Sequence, residues 1–172
     1  MKVDFWVWGT ETIVSGENDD FTIKILEPKD GLSGVLSLQA HEKKHEYWII
    51  KSGKGIAQFI VADSVLTVIA TSNMIFKIAP NLPHRLGSLS HLKVIEVSTL
   101  DEHSLDKNKS KDVVRYHCFH GRPCLKPNSR KFNELVSRSV EEFVNTLNTQ
   151  KVIEQKKNLV RLSEAGIFLG KV

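Results

Sequence analysis

The sequence predicts a mainly β protein, an antiparallel barrel followed by a C-terminal α-helical extension. Three observations predict it. Short runs rich in Val, Ile, Phe, Trp and Thr recur between residues 5 and 97, separated by clusters of Gly, Asn, Asp and Pro, the pattern of many short strands joined by turns. After Leu100 the chain becomes polar and charged through 101–111, as a surface loop does. Beyond Ser129 the apolar period changes to that of a helix. The barrel domain is expected over residues 1–122 and the extension over 123–172.

The strands are expected at 12–15, 21–26, 35–40, 46–51, 56–62, 64–69, 74–78, 83–86 and 92–98. Ala62-Asp63-Ser64 and Ala70-Thr71-Ser72-Asn73 read as turns, the second with Asn73 at a position suited to positive φ. In the extension Phe132, Leu135, Val136, Val140, Phe143, Val144 and Leu147 follow i, i+3, i+4 spacing, with Ser129 as N-cap and Asn148 near the stop. A second helix is expected over 151–165, ended by Gly166. Neither helix buries its apolar face alone, so both must pack on the barrel or on another subunit.

Composition narrows the class. The chain has 172 residues, 41% hydrophobic and 26% charged, enough for one domain with a core plus an appendage, and unlike a disordered segment. Its apolar runs are strand-sized, well short of the roughly 20 residues that cross a bilayer, so no membrane partner is expected. The N-terminus lacks the sustained apolar stretch of a signal peptide, which implies a cytoplasmic location. Cys118 and Cys124 are accordingly expected to be reduced. The net charge of +4 lies mostly after residue 105, dispersed, interleaved with acids and without an aromatic stacking platform. It reads as a solvated basic surface rather than a nucleic-acid site.

The chemistry concentrates in Gln39-Ala40-His41-Glu42-Lys43-Lys44-His45-Glu46. Alternation on a strand points Gln39 and His41 the same way, and a turn over 42–45 can bring Glu46 beside them. His84, in Pro80-Asn81-Leu82-Pro83-His84-Arg85, completes a nitrogen and oxygen donor set suited to zinc, iron, manganese or nickel. Glu96, on the apolar strand Ile95-Glu96-Val97, points either inward, as an acid or base, or outward to solvent. His45 reads as turn surface, and Lys43 and Lys44 by default as a solvated turn. Trp6, Trp8 and Trp48 read as core or rim packing. His117-Cys118-Phe119-His120 with Cys124 has zinc-type ligands in a spacing that fits no common zinc motif.

These residues resemble the cupin superfamily, whose first motif is met here as Gln39-x-His41, Glu46 and Gly53, and whose second is met as Pro80-Asn81-Leu82-Pro83-His84. Asn81 stands where that motif has Gly and can take the same left-handed turn. The resemblance narrows to the type II phosphomannose isomerase domain of bifunctional mannose-1-phosphate guanylyltransferases. Five stretches match in order: Trp8-Gly9-Thr10; Leu36-Ser37-Leu38-Gln39-x-His41 with Glu46-x-Trp48; Pro83-His84-Arg85-Leu86; Leu92-x-Val94-Ile95-Glu96-Val97; and Asp112-Val113-Val114-Arg115-Tyr116 with Gly121-Arg122. Glu42, Lys43, Lys44 and Tyr47 replace the His, His, Arg and His of that pattern.

The resemblance implies a double-stranded β-helix, a jelly-roll-like barrel, that holds one divalent metal ion, zinc first and manganese, iron or nickel after it. Gln39, His41, Glu46 and His84 would be its ligands. It implies a sugar-phosphate aldose-ketose isomerase, with a phosphorylated or nucleotide-linked sugar as substrate and a homodimer as the assembly. Arg122 and an inward Glu96 are the candidate catalytic residues, Arg85 and Arg122 would face the sugar or its phosphate, and Lys43 and Lys44 would add positive charge at the pocket rim. Two alternatives stand beside this: a small-ligand-binding cupin without catalysis, and an iron-dependent cupin oxygenase.

Overall fold

A computed structural model describes residues 1–15, 20–99 and 101–172; Leu100, where the sequence turns polar, lies outside them. The strands are β1 (Lys2–Trp6), β2 (Gly9–Ile13), β3 (Phe21–Pro28), β4 (Leu38–Ala40), β5 (Glu46–Val61), β6 (Ser64–Thr71), β7 (Met74–Ile78), β8 (His84–Thr99), β9 (Val114–His117) and β10 (Phe168–Lys171). The helices are α1 (Glu102–Leu105), α2 (Arg130–Thr149) and α3 (Gln155–Glu164). The sheet runs β1-β2-β3-β8-β5-β7-β10, all antiparallel, with β6 on β5, β4 on β8, and β9 on β4.

Two long strands organise the barrel. The pairs expected at 46–51 with 56–62, and at 83–86 with 92–98, are single continuous strands, β5 and β8, paired with each other from Glu46↔Ser98 to Phe59↔His84. The intervening segments, Ser52-Gly53 and Leu89-Ser90-His91, fall at irregularities in register within the strands. Gly53 sits at φ +79, and a Cβ there would lie 2.2 Å from the His91 carbonyl oxygen, so the two backbones touch where the strands bend. A bulge of this kind lets one strand serve two sheets. Both Asn73 (φ +71) and Asn81 (φ +62) take the left-handed conformation expected of them.

Strand alternation decides what enters the barrel. On β3 the inward residues are Thr22, Lys24, Leu26 and Pro28, and on β8 they are Leu92, Val94, Glu96 and Ser98. One part of the interior is therefore apolar, built on Trp48, Ile50, Phe59, Phe76, Leu86 and Val94, while the other carries charges. Glu96 points inward, opposite Lys24 in the β3–β8 register.

The C-terminal segment packs on the barrel. Ser129 caps α2 by accepting from the Phe132 N–H, and Phe143 is fully buried against Val35 and Ile56. α3 lies along β6, whose outer edge has no strand partner among the described residues. There the Gln155 amide accepts from the Ile69 N–H at 2.8 Å and donates to its carbonyl at 3.1 Å, and Asn158 donates to the Thr67 carbonyl. Side-chain amides thus satisfy a sheet edge that would otherwise pair with another chain. The extension is not purely helical, because after Gly166 (φ +69) the chain extends β7 with β10. Among the described residues no helix is long and apolar enough to cross a membrane.

Candidate metal centre

His41 follows β4, while Glu46 and His84 are the first residues of β5 and β8; pairing of β8 with β4 (Gln39↔His84) and with β5 brings the three strand ends together. The donor atoms of His41, Glu46 and His84 lie within 4.8 Å of one another, all three residues buried. His41 Nε2 is 3.3 Å from Glu46 Oε1, and His84 Nε2 is 3.5 Å from Glu46 Oε2.

The outer ring nitrogens orient both imidazoles. His84 Nδ1 bonds the Leu82 carbonyl at 2.8 Å, and His41 Nδ1 bonds the Asp112 carbonyl. Each leaves Nε2 facing Glu46, the arrangement by which backbone carbonyls set ligand tautomers. Burial pushes His84 down to about 4 despite the pull of Glu46, so at neutral pH its imidazole is neutral with a free lone pair. His84 Nε2 and Glu46 Oε2 are both buried without a hydrogen-bond partner. Buried orphans of this kind are rare in native proteins, and here they are the atoms that a divalent ion would satisfy. The donor set fits such an ion. Gln39 stands beside it, Nε2 at 3.4 Å from His41 Nε2, with its Oε1 accepting from Ser37 Oγ at 2.7 Å.

The turn between His41 and Glu46 is held by Asp112, whose carboxylate accepts from the backbone N–H groups of Glu42, Lys43 and Lys44 at 2.8 to 3.0 Å. That clamp points Lys44 inward. Its Nζ is 2.5 Å from Glu46 Oε1, 3.6 Å from Glu96 Oε1 and 3.7 Å from Asp101 Oδ2. Lys44 is therefore an interior cation, not a rim charge, whereas Lys43 stays exposed on the outside of the turn. Lys24 mirrors it, 2.7 Å from Asp101, 3.7 Å from Glu96 and 3.8 Å from Glu11. Burial alone would raise the Glu46 carboxyl, yet Lys44, His41 and His84 hold it at about 2. Burial likewise works against charge on Lys44, and Glu46, Glu96 and Asp101 override it, keeping the ammonium well above its ordinary range.

The site opens into a pocket of about 730 Å³, counted with its mouth, whose wall includes Gln39, Glu96, Arg115 and Arg122 with Trp6 and Trp8. Of the residues expected at the site, Gln39, His41, Lys44, Glu46, Glu96 and Arg122 line this pocket, and His84 joins the donor cluster. Arg85 does not. It follows inward-facing His84 on β8 and so points to the opposite face, wholly buried under α2, donating to Ser139 Oγ at 3.1 Å between the rings of Phe119 and Phe143. Sequence reasoning missed Lys24, Asp101, Asp112 and Arg115. Lys24 carried a signal as a charge on the buried face of an alternating strand, and Asp112 and Arg115 lay in a matched stretch without being given a role. His45 is exposed, His120 Nε2 bonds the Val35 carbonyl, and Cys118 and Cys124 are both free.

No protein-family model matches the chain, and no curated protein matches it in sequence. Solved structures do. Capsular polysaccharide assembling protein CapF from Staphylococcus aureus is 16% identical with a TM-score of 0.53, over 66% of this chain and 33% of its own, so the chain spans about a third of CapF. A variant of Streptomyces PAC13 solved with uridine is 11% identical with a TM-score of 0.51, over 67% of this chain and 84% of its own. A cupin superfamily protein from Desulfitobacterium hafniense is a weaker likeness, 11% identical at a TM-score of 0.44. At such identities the likeness concerns the fold alone, which is mainly antiparallel β.

Proposed function

We propose that this chain is a metal-dependent enzyme that interconverts the aldose and ketose forms of a phosphorylated sugar. The observation that carries the proposal is the buried His41–Glu46–His84 set, with its unpartnered Nε2 and Oε2 atoms, beside an inward carboxylate, Glu96, that is not one of its donors. An aldose-ketose isomerase needs such a pairing: a centre that polarises two neighbouring oxygens and a separate base that moves a proton between their carbons.

A divalent ion held by His41, Glu46 and His84, with Gln39 beside it, would polarise the carbonyl and hydroxyl oxygens of the sugar. Glu96 takes the proton from the hydroxyl-bearing carbon and returns it to the former carbonyl carbon, while the hydroxyl proton crosses between the oxygens, so nothing is consumed. Lys44 and Lys24 flank Glu96 at 3.6 and 3.7 Å. Trp6 and Trp8 offer the apolar wall that a sugar's C–H face can stack on. CapF is a capsular polysaccharide assembling protein and PAC13 was solved with uridine; a sugar-bearing substrate in this chain agrees with both.

The experiment is interconversion of sugar 6-phosphates by metal-loaded protein, with solvent deuterium followed into the product. Glu96→Gln should lower turnover by about a hundredfold or more while leaving metal uptake intact. Unchanged turnover in that variant removes Glu96 as the base, and no turnover of any sugar phosphate by the wild type removes the isomerase reading. A second reading is favoured by the 2.5 Å contact of Lys44 with Glu46, since an internal cation already neutralises that carboxylate. A small-ligand-binding protein without catalysis would then bind sugars or nucleosides with equal affinity whether or not metal is added.

A further inference from the structure

We propose that Cys118 and Cys124 are a hydroperoxide-reactive thiol pair, in which Cys118 is oxidised first and Cys124 then closes a disulfide with it. The proposal is independent of the isomerase reading and of the metal centre.

Chain geometry puts the two sulfurs around one residue. Cys118 directly follows β9, and residues 118–127 form no helix or strand. The Leu125 N–H donates to the Arg115 carbonyl at 2.7 Å, so the segment folds back on itself and both cysteines lie within one small loop. Cys118 Sγ accepts from Arg122 Nε at 3.2 Å and from the His120 N–H at 3.4 Å, while Cys124 Sγ donates to the Arg122 carbonyl at 3.3 Å. Both are free thiols, Cys118 half-buried and Cys124 exposed. Five residues separate them, among them Gly121 at φ +68 with open space around its Cβ position. Closing so short a loop costs little chain entropy.

The charges around Cys118 suit a thiolate. Arg122 lies against it, and Arg85 and Arg115 are near enough that Cys118 favours the charge on both. Arg85 is wholly buried with Nε and Nη1 lacking partners, and Arg115 Nε is likewise buried without one. Among the described residues, the hydrogen bonds that Arg85 and Arg122 do make go to Ser139 Oγ, Ser37 Oγ and Cys118 Sγ, none of them a carboxylate. The Cys118 sulfur is thus the group in this cluster that can answer their charge. Burial works to raise the Cys118 thiol, yet Arg122 and the His120 N–H hold it below its ordinary range. Cys124 is shifted the other way, by burial and by Cys118. The pair is therefore asymmetric, a thiolate that attacks beside a thiol that follows.

The chemistry closes on one oxidant. The Cys118 thiolate attacks one oxygen of a hydroperoxide; the S–O bond forms as the O–O bond breaks, and the alkoxide or hydroxide released takes up the proton that the thiol gave to solvent. Sulfur is oxidised to the sulfenic acid and the peroxide is reduced. The Cys124 sulfur, giving up its proton, then attacks the Cys118 sulfur; the S–S bond forms, the S–O bond breaks, and the hydroxide leaves with that proton as water. The disulfide sulfur carries no charge, so Arg122, which lines the pocket, loses its anionic partner.

The test is peptide-resolved mass spectrometry of the reduced full-length protein, treated with limiting iodoacetamide at neutral pH or with hydrogen peroxide and dimedone. Within the wild-type chain Cys118 should alkylate about tenfold or more faster than Cys124, although Cys124 is the more exposed. Peroxide should join Cys118 to Cys124 within one chain, and in Cys124→Ser it should leave a dimedone adduct on Cys118. Arg122→Gln should slow Cys118 alkylation by about fivefold or more, and Arg122→Lys, which keeps a charge, should slow it less. Any of three results overturns the proposal: Cys118 alkylating no faster than Cys124, peroxide leaving both thiols free or joining them only between chains, or Arg122→Gln reacting like wild type. The comparison within one wild-type chain does not depend on a variant folding. It involves neither metal uptake nor turnover, so failure here leaves the metal centre and the isomerase reading standing.

Discussion

Arg85 and Asp101 are charges that sequence spacing could not place correctly, and each makes a prediction. Arg85 is wholly buried under α2, with Nε and Nη1 lacking partners and burial lowering it to about 9. A buried cation without a carboxylate contributes through its stem and its stacking more than through its charge. Arg85→Met should therefore change stability by less than about 1.5 kcal/mol, whereas Arg85→Ala, which opens a cavity beside Phe143, should cost about 2–4 kcal/mol, both read by urea denaturation. Equal losses would mean that the guanidinium's hydrogen bond to Ser139 matters most. Burial works to raise the Asp101 carboxyl, yet Lys24 and Lys44 hold it below its ordinary value of 3.8. A depressed carboxyl contributes stability that is complete above the unfolded value and is lost as pH falls through the folded one. Asp101→Asn should thus be less stable at pH 7 and lose less on acidification below about pH 4; an unchanged acid transition would remove Asp101 from the network. The clustering of His41, Glu46 and His84 was legible because the motif spacing carries it. Asp101 was not, since it meets Lys24 across 77 residues of chain.

At the scale of elements, the barrel strands and α2 were legible from alternation and from a helical period, because each periodicity reflects which face is buried. Errors arose where tertiary structure decides. The strands expected separately at 46–51 and 56–62, and at 83–86 and 92–98, are joined, because two strands running side by side carry a shared bulge through the residues between. β1, β9 and β10 are short, without clean alternation, and exist because neighbouring strands offer edges to pair with. The bulge gives a prediction: Gly53 combines φ +79 with a Cβ position 2.2 Å from the His91 carbonyl. Gly53→Ala should cost about 1–3 kcal/mol, seen as a lower melting temperature, and a variant as stable as wild type would show that the bend relaxes freely.

Across the whole molecule, the fold brings the start of β5, the start of β8 and the end of β4 to one point, while the C-terminal segment covers the sheet edges at β6 and β7. The barrel interior is divided accordingly. Apolar packing holds one part, and a network of two lysines and three further carboxylates adjoins the His41–Glu46–His84 cluster in the other. The most direct test is zinc titration of chelator-treated protein, with bound metal counted per chain, in wild type and in a His41→Ala, His84→Ala double variant. One ion per wild-type chain, lost in the double variant, is the predicted result. No bound ion in the wild type, or the same stoichiometry and affinity in both proteins, would contradict a metal centre at these residues.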